Sequence, residues 1–175
     1  MSKILYKSAL ILPLVLAACA APMRAPDAPA AVTPPAGSTY SMTAVGVGEI
    51  TYECRAKAGA ADTFEWVFVA PVATLYDGNK AAIGKYYGGP TWESMDGSKV
   101  TGKQLAVAPA SSPQNIPLQL VQANPATGSG AMSDVTYIQR LNTVGGVAPA
   151  MPCGKSNVSA KQQVKYQADY VFYKK

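Results

Sequence analysis

The residues best suited to chemistry cluster in one stretch, Tyr86-Tyr87-Gly-Gly-Pro-Thr-Trp92-Glu93-Ser-Met-Asp96, with Arg140 farther along the chain. Aromatic rings beside carboxylates and a guanidinium form a candidate binding face for a sugar or a peptide, the rings giving stacking area and the polar tips giving direction. Glu93 and Asp96 are also the only plausible acid–base pair, of the kind a glycosidase uses. A purely architectural reading accounts for the same letters. Gly88-Gly89-Pro90 reads as a tight turn into a strand, Trp92 as a core ring, and Asp96-Gly97-Ser98 as a turn whose Asp caps its own backbone. On that reading Arg140 pairs with Glu93 or Asp96, because an unpaired guanidinium among apolar strands is costly.

Other chemistries find no support. The chain has no histidine, so a serine triad lacks its base. The glycines at 46 and 48 lead into a strand and not a helix, which excludes a phosphate-cradling loop. Three cysteines occur. Cys19 falls in an export signal, leaving Cys54 and Cys153. An even count in an oxidising compartment is read as a disulfide; the alternative is a pair of reactive or metal-binding thiols. That long spacing, without histidine, makes zinc a poor fit, and no metal or other cofactor is expected.

The compartment is written at the amino terminus. Lys3 and Lys7 precede an apolar core from Ala9 to Leu16 and the small pair Ala17-Ala18, the three parts of an export signal. The run is too short for a spanning helix, which needs roughly 20 apolar residues. Leu16-Ala17-Ala18-Cys19 completes a bacterial lipobox, so residues 1–18 are expected to be removed and the Cys19 thiol to take up diacylglycerol. An ordinary signal peptide with an incidental cysteine is the alternative. Each buried methylene contributes ~0.8 kcal/mol, so two or more acyl chains anchor firmly. The location expected is the bacterial cell envelope, most simply the outer membrane, since Ala20 and not Asp follows the cysteine.

The formal charge of +5 comes from 15 basic and 10 acidic residues; loss of Lys3 and Lys7 leaves 13 basic against 10, or +3. Lys and Arg are scattered, without the concentrated footprint of a nucleic-acid binder. Residues 19–40 hold the lipid cysteine and a Pro/Ala-rich stretch expected to be an extended linker, at about 3.1 Å per residue. Residues 41–175 are the size of one domain.

Within that domain the period is two. Ile50, Tyr52 and Cys54 share one face; Phe64, Trp66, Phe68 and Ala70 alternate with Glu65, Val67 and Val69; Val164, Tyr166, Ala168, Tyr170 and Phe172 alternate with Lys165, Gln167, Asp169, Val171 and Tyr173. Turn signals separate the runs at Asp77-Gly78-Asn79, Asp96-Gly97, Asn124-Pro125 and Gly145-Gly146. No stretch shows a capped helical stripe. The expectation is an all-β, antiparallel sandwich or barrel, a single domain with one disulfide.

Several blocks, in order, resemble one family. They are Tyr52-x-Cys54; Trp66 followed by Pro71, Ala73 and Leu75; Gly84-Lys-Tyr-Tyr-Gly-Gly-Pro-Thr-Trp-Glu93 with Asp96-Gly-Ser-Lys-Val100; Val135 to Thr143 with Gly145-Gly146 and Pro149; Cys153; and Tyr166-x-Ala-Asp-Tyr-x-Phe-Tyr173. Together they resemble domain-of-unknown-function family 3455. The resemblance covers nearly the whole domain and implies a secreted or lipid-anchored bacterial protein with fungal relatives; it implies no activity. This chain departs from the family pattern at Tyr86, where histidine is usual, and at Leu118, where tryptophan is. Chemistry that needed that imidazole would be missing here, since tyrosine titrates near pH ~10. The reading reached is a non-catalytic envelope lipoprotein, attached to the membrane by its lipid and presenting a binding or structural face to an envelope protein or glycan. The alternative is a carboxylate-dependent hydrolase of envelope glycans.

Overall fold

The computed structural model describes residues 24–60 and 62–175; the signal segment and Cys19 lie outside them. The eight strands are β1 (Thr39–Ala56), β2 (Phe64–Tyr76), β3 (Ala82–Tyr87), β4 (Thr91–Ser94), β5 (Lys99–Ala108), β6 (Leu118–Ala123), β7 (Val135–Gly145) and β8 (Lys161–Lys174). Each pairs antiparallel with the next, and β1 pairs with β8, closing the sheet into an up-and-down barrel. Closure leaves no free edge, which is how such a sheet avoids templating further strands. Of the two all-β architectures expected, the barrel is the one formed.

Alternation sorts each strand between barrel interior and exterior. Ile50, Tyr52 and Ala44 of β1, Ala73 and Leu75 of β2, Tyr86, Trp92, Val100, Val121 and Ile138, and Tyr166, Ala168, Tyr170 and Phe172 of β8 make the inner core. Large rings fit because β1 supplies glycine opposite them. A Cβ on Gly46 would lie 2.6 Å from Cε2 of Tyr170, inside any permissible contact, so the Tyr170 ring occupies the space of a missing side chain.

One strand departs from simple alternation. Thr51 pairs with Ala70 but Tyr52 with Phe68, so Val69 is an extra residue in β2. A bulge of this kind reverses which parity faces inward. Beyond it Ala73 and Leu75 face inward and are buried; before it the inward face is held by Phe68, opposite Tyr52, and Trp66, opposite Cys54, near the rim, where Phe68 is 53% exposed and Trp66 half-buried. Trp66 packs at the core margin, and its Nε1 donates to Met151 O at 2.8 Å.

The four connections β1–β2, β3–β4, β5–β6 and β7–β8 share one end of the barrel. There Cys54 at the end of β1 is bonded to Cys153 in the β7–β8 loop, with Cα atoms 5.5 Å apart. Closing a loop of 99 residues stabilises by about 4 to 5 kcal/mol in the chain-entropy account.

The Pro/Ala-rich stretch differs from the free linker expected. From Arg24 onward it lies along the outside of β5–β8, with one 3₁₀ turn at Ala30–Val32. Val32 is fully buried in a second apolar cluster with Ala108, Leu120, Leu141, Val171 and Tyr173. Gln139, itself buried, donates from Nε2 to Val32 O at 2.7 Å and accepts from the Tyr173 hydroxyl at 2.6 Å. The prolines thus shape a strap, and one valine among small residues is enough to dock it.

Candidate functional site

The six residues singled out from the sequence do not form one face. Consecutive strand residues point to opposite sides, so Tyr86 and Trp92 face the barrel interior while Tyr87 and Glu93 face out. Asp96 sits in the β4–β5 turn, at the opposite end of the barrel from the disulfide.

On the outer side, Tyr87 donates its hydroxyl to Glu93 Oε2 at 2.6 Å, and Lys85 Nζ lies 3.2 Å from Glu93 Oε1. Both partners stabilise the carboxylate and hold its pKa below the usual range, the Tyr87 bond most; the same bond raises the Tyr87 pKa. Glu93, with Gly84, Lys85, Ser94, Met95 and Gly97, lines a shallow concavity of about 320 Å³. Asp96 takes no part in it.

Asp96 is a loop clamp. Its Oδ1 accepts from the Ser98 backbone N–H at 2.8 Å and from the Ser98 hydroxyl, and its Oδ2 accepts from the Ala131 N–H at 2.8 Å. Ser98, fully buried, also accepts from the Met132 N–H at 3.1 Å. The turn is therefore capped by its own Asp, as expected, and is additionally tied to the β6–β7 loop. Gly130, at φ 157°, must be glycine, since its Cβ would meet the Asp96 carboxylate at 2.3 Å. These donors lower the Asp96 pKa to about 2, as hydrogen bonds to a carboxylate do.

The expected pairing of Arg140 with Glu93 or Asp96 does not occur. Arg140 follows Ile138 in inward parity on β7 and lies beside Tyr170 of β8. Its Nε and Nη2 donate to Pro117 O at 3.2 and 2.9 Å. The two carboxylates are elsewhere, one outside the sheet and one in the far turn, so no side-chain rotation brings them together.

The interior around Arg140 is aromatic and hydroxylated. Tyr86 lies 4.9 Å from Trp92 and 4.8 Å from Tyr170, ring centre to ring centre, and Trp92 lies 5.7 Å edge-on to Tyr170. The hydroxyls of Tyr166 and Tyr170 are 3.3 Å apart, and Tyr52 donates to Gly146 O at 2.9 Å. Burial raises the pKa of Tyr52, Tyr86, Tyr166 and Tyr170, while the Arg140 charge opposes that rise in all four. All four therefore stay protonated at neutral pH. Trp92 is 1% exposed and its Nε1 has no hydrogen-bond partner.

The alternation placed Tyr52 on one face of its strand and Tyr166 and Tyr170 together on one face of theirs, without linking them to Arg140. The available signal was parity: Arg140 shares that of Ile138, and a barrel brings all inward faces together. Gln139 and Val32 carried no comparable signal. Among the described residues no group of three or more Cys, Asp or Glu side chains is arranged to hold a metal ion.

Neither the curated proteins nor the solved structures contain a significant match to this chain. A family model described as protein of unknown function (DUF3455) matches residues 35–174, nearly the whole barrel from just before β1 to the end of β8, and the chain belongs to that family.

Proposed function

We propose that this is a lipid-anchored lipoprotein of the bacterial envelope whose barrel is a non-catalytic binding or structural module. The observation carrying the non-catalytic part is that both candidate carboxylates are committed to fixed partners that favour their ionised forms. A glycosidase needs one carboxyl group protonated near neutral pH and a second across the same cleft. Here both pKa values are lowered and only one of the two groups lines the concavity. The hydrolase alternative thus loses the pair on which it rested.

The anchor rests on the Leu16-Ala17-Ala18-Cys19 motif. No helix among the described residues is long and apolar enough to cross a membrane. The docked strap begins at Ala25, six positions after Cys19. At ~3.3–3.6 Å per residue these span no more than roughly 20 Å, so the barrel sits close to the bilayer to which its lipid is attached. The outward Tyr87–Glu93–Lys85 group then offers a polar-aromatic patch to an envelope protein or glycan. The experiment is Cys19→Ser in the native host: the variant should be released in soluble form or remain an unprocessed precursor, while the native protein incorporates a labelled fatty acid. Native protein that takes up no label would overturn the anchor.

A further inference from the structure

The barrel interior contains one formal charge that this chain leaves without a counterion. Arg140 appears in none of the four ion pairs among the described residues. The charged group acting on Tyr52, Tyr86, Tyr166 and Tyr170 is in each case Arg140, with no carboxylate beside it. A half-buried guanidinium without an anion is unfavourable, and most protein arginines so placed find an acid.

The donor inventory points the same way. A guanidinium has five N–H groups in a planar fork, and Arg140 uses only its Nε and one Nη2 hydrogen, both on Pro117 O. Trp92 Nε1 is the sole sealed, unpartnered polar side-chain atom among the described residues, so the Nη1 edge of Arg140 is reachable from outside. Beside it, the single bond between Tyr166 and Tyr170 consumes one hydroxyl hydrogen and leaves the other. Arg140 can only donate, the hydroxyls can donate as well as accept, and no anionic acceptor is paired with Arg140 among the described residues. The complement of the cluster is a group with several acceptor oxygens and negative charge.

We propose that the Arg140 fork, with the hydroxyls of Tyr86, Tyr166 and Tyr170, binds the oxyanion of a small ligand, a carboxylate or a phosphate. Pro117 O, accepting from Nε and Nη2, fixes the direction of the guanidinium. Forked N–H donors match two oxygens of either group in bidentate fashion, and the aromatic wall formed by Tyr86 and Tyr170 excludes water from the pair. This deepens the binding-module reading by naming a ligand class; it does not depend on the lipid anchor, so the two can fail separately.

The test is calorimetric titration of the full chain in detergent with sodium acetate and, separately, sodium phosphate, with sodium chloride holding ionic strength constant. Saturable binding of either anion is expected, and the arm that responds identifies the chemistry. Arg140→Gln should weaken it by at least about tenfold, the loss expected for a charge-assisted hydrogen-bonded pair. Arg140→Lys should weaken it less, and Tyr86→Phe a few-fold. Should Arg140→Gln not fold, Arg140→Lys and Tyr86→Phe decide the matter, because each keeps the size of the side chain. No saturable response to either anion, or variants that bind as the native protein does, would overturn the proposal.

Discussion

Replacing Trp92 by alanine empties the largest fully buried side chain of the barrel. The ring is 1% exposed and touches Tyr86 and Tyr170 at centroid distances of 4.9 and 5.7 Å. Loss of a buried aromatic ring costs ~3–5 kcal/mol, of which each ring pair accounts for about 0.5–1.5 kcal/mol beyond its buried area. The neighbours cannot collapse into the space, since they are strands of a closed barrel held in register on both sides. One contribution has the opposite sign: the unpartnered Nε1 is a buried donor without an acceptor, a penalty of ~1–3 kcal/mol that alanine and phenylalanine both remove. Trp92→Phe should therefore lose much less than Trp92→Ala, no more than about 1.5 kcal/mol, by retaining a ring while shedding the orphan N–H. For a domain of this size each kcal/mol shifts Tm by roughly 2–4 °C, so Trp92→Ala should melt roughly 6–20 °C below the native protein. The assay is urea and thermal unfolding followed by far-UV circular dichroism with the disulfide intact. A loss well above 1.5 kcal/mol for Trp92→Phe would refute the argument from the orphan donor, and equal losses for the two variants would refute the weight given to the retained ring. A Trp92→Ala variant within 1 kcal/mol of native would refute the packing argument itself.

Asp96 gives a pH signature. Its pKa is lowered to about 2 from the ordinary 3.8, so its stabilising contribution is complete above pH ~4 and disappears as pH falls toward 2; Asp96→Asn should flatten that part of the acid-unfolding curve, and an unchanged curve would exclude the clamp. Val32→Asp should undock the strap, making the chain near residue 30 cleavable by protease while the barrel stays intact, since an unpaired carboxylate is not tolerated in an apolar cluster; equal resistance in both proteins would contradict the docking. Reducing the Cys54–Cys153 bond, or replacing both cysteines by alanine, should lower unfolding free energy by about 4 to 5 kcal/mol, checked by denaturant titration. Glu93→Gln should change stability by less than ~1 kcal/mol, because its ion pair with Lys85 is partly exposed, and a larger loss in denaturant titration would assign it a role in the fold.

Much of the molecule follows from local rules that act within a few residues. Alternation along β1 and β8 was legible because those long strands have one inward face of rings and aliphatics, and the pairing of Cys54 with Cys153 followed from an even count and the compartment. The expectation of an export signal and of lipidation at Cys19 rests on adjacent letters alone, outside the described residues. The same alternation, applied to Tyr86-Tyr87 and Trp92-Glu93, already separates the candidate residues into two faces. What was beyond local reading arises where distant segments meet. A single extra residue, Val69, passes the inward face of β2 from Trp66 and Phe68 to Pro71, Ala73 and Leu75, and nothing in the composition of that strand marks it. Arg140 lacks a carboxylate because barrel closure sets Glu93 outside the wall and Asp96 in the far turn, a consequence of which strand ends share which rim. The strap depends on one valine meeting a hollow built from four strands, and burial of that kind is a property of the assembled surface. Sequence determined the class of structure and which residues share a face of most strands, because those depend on periodicity and turn chemistry; tertiary structure alone decided barrel over sandwich and which charges are partnered, because both depend on where strands far apart in the chain are closed against one another.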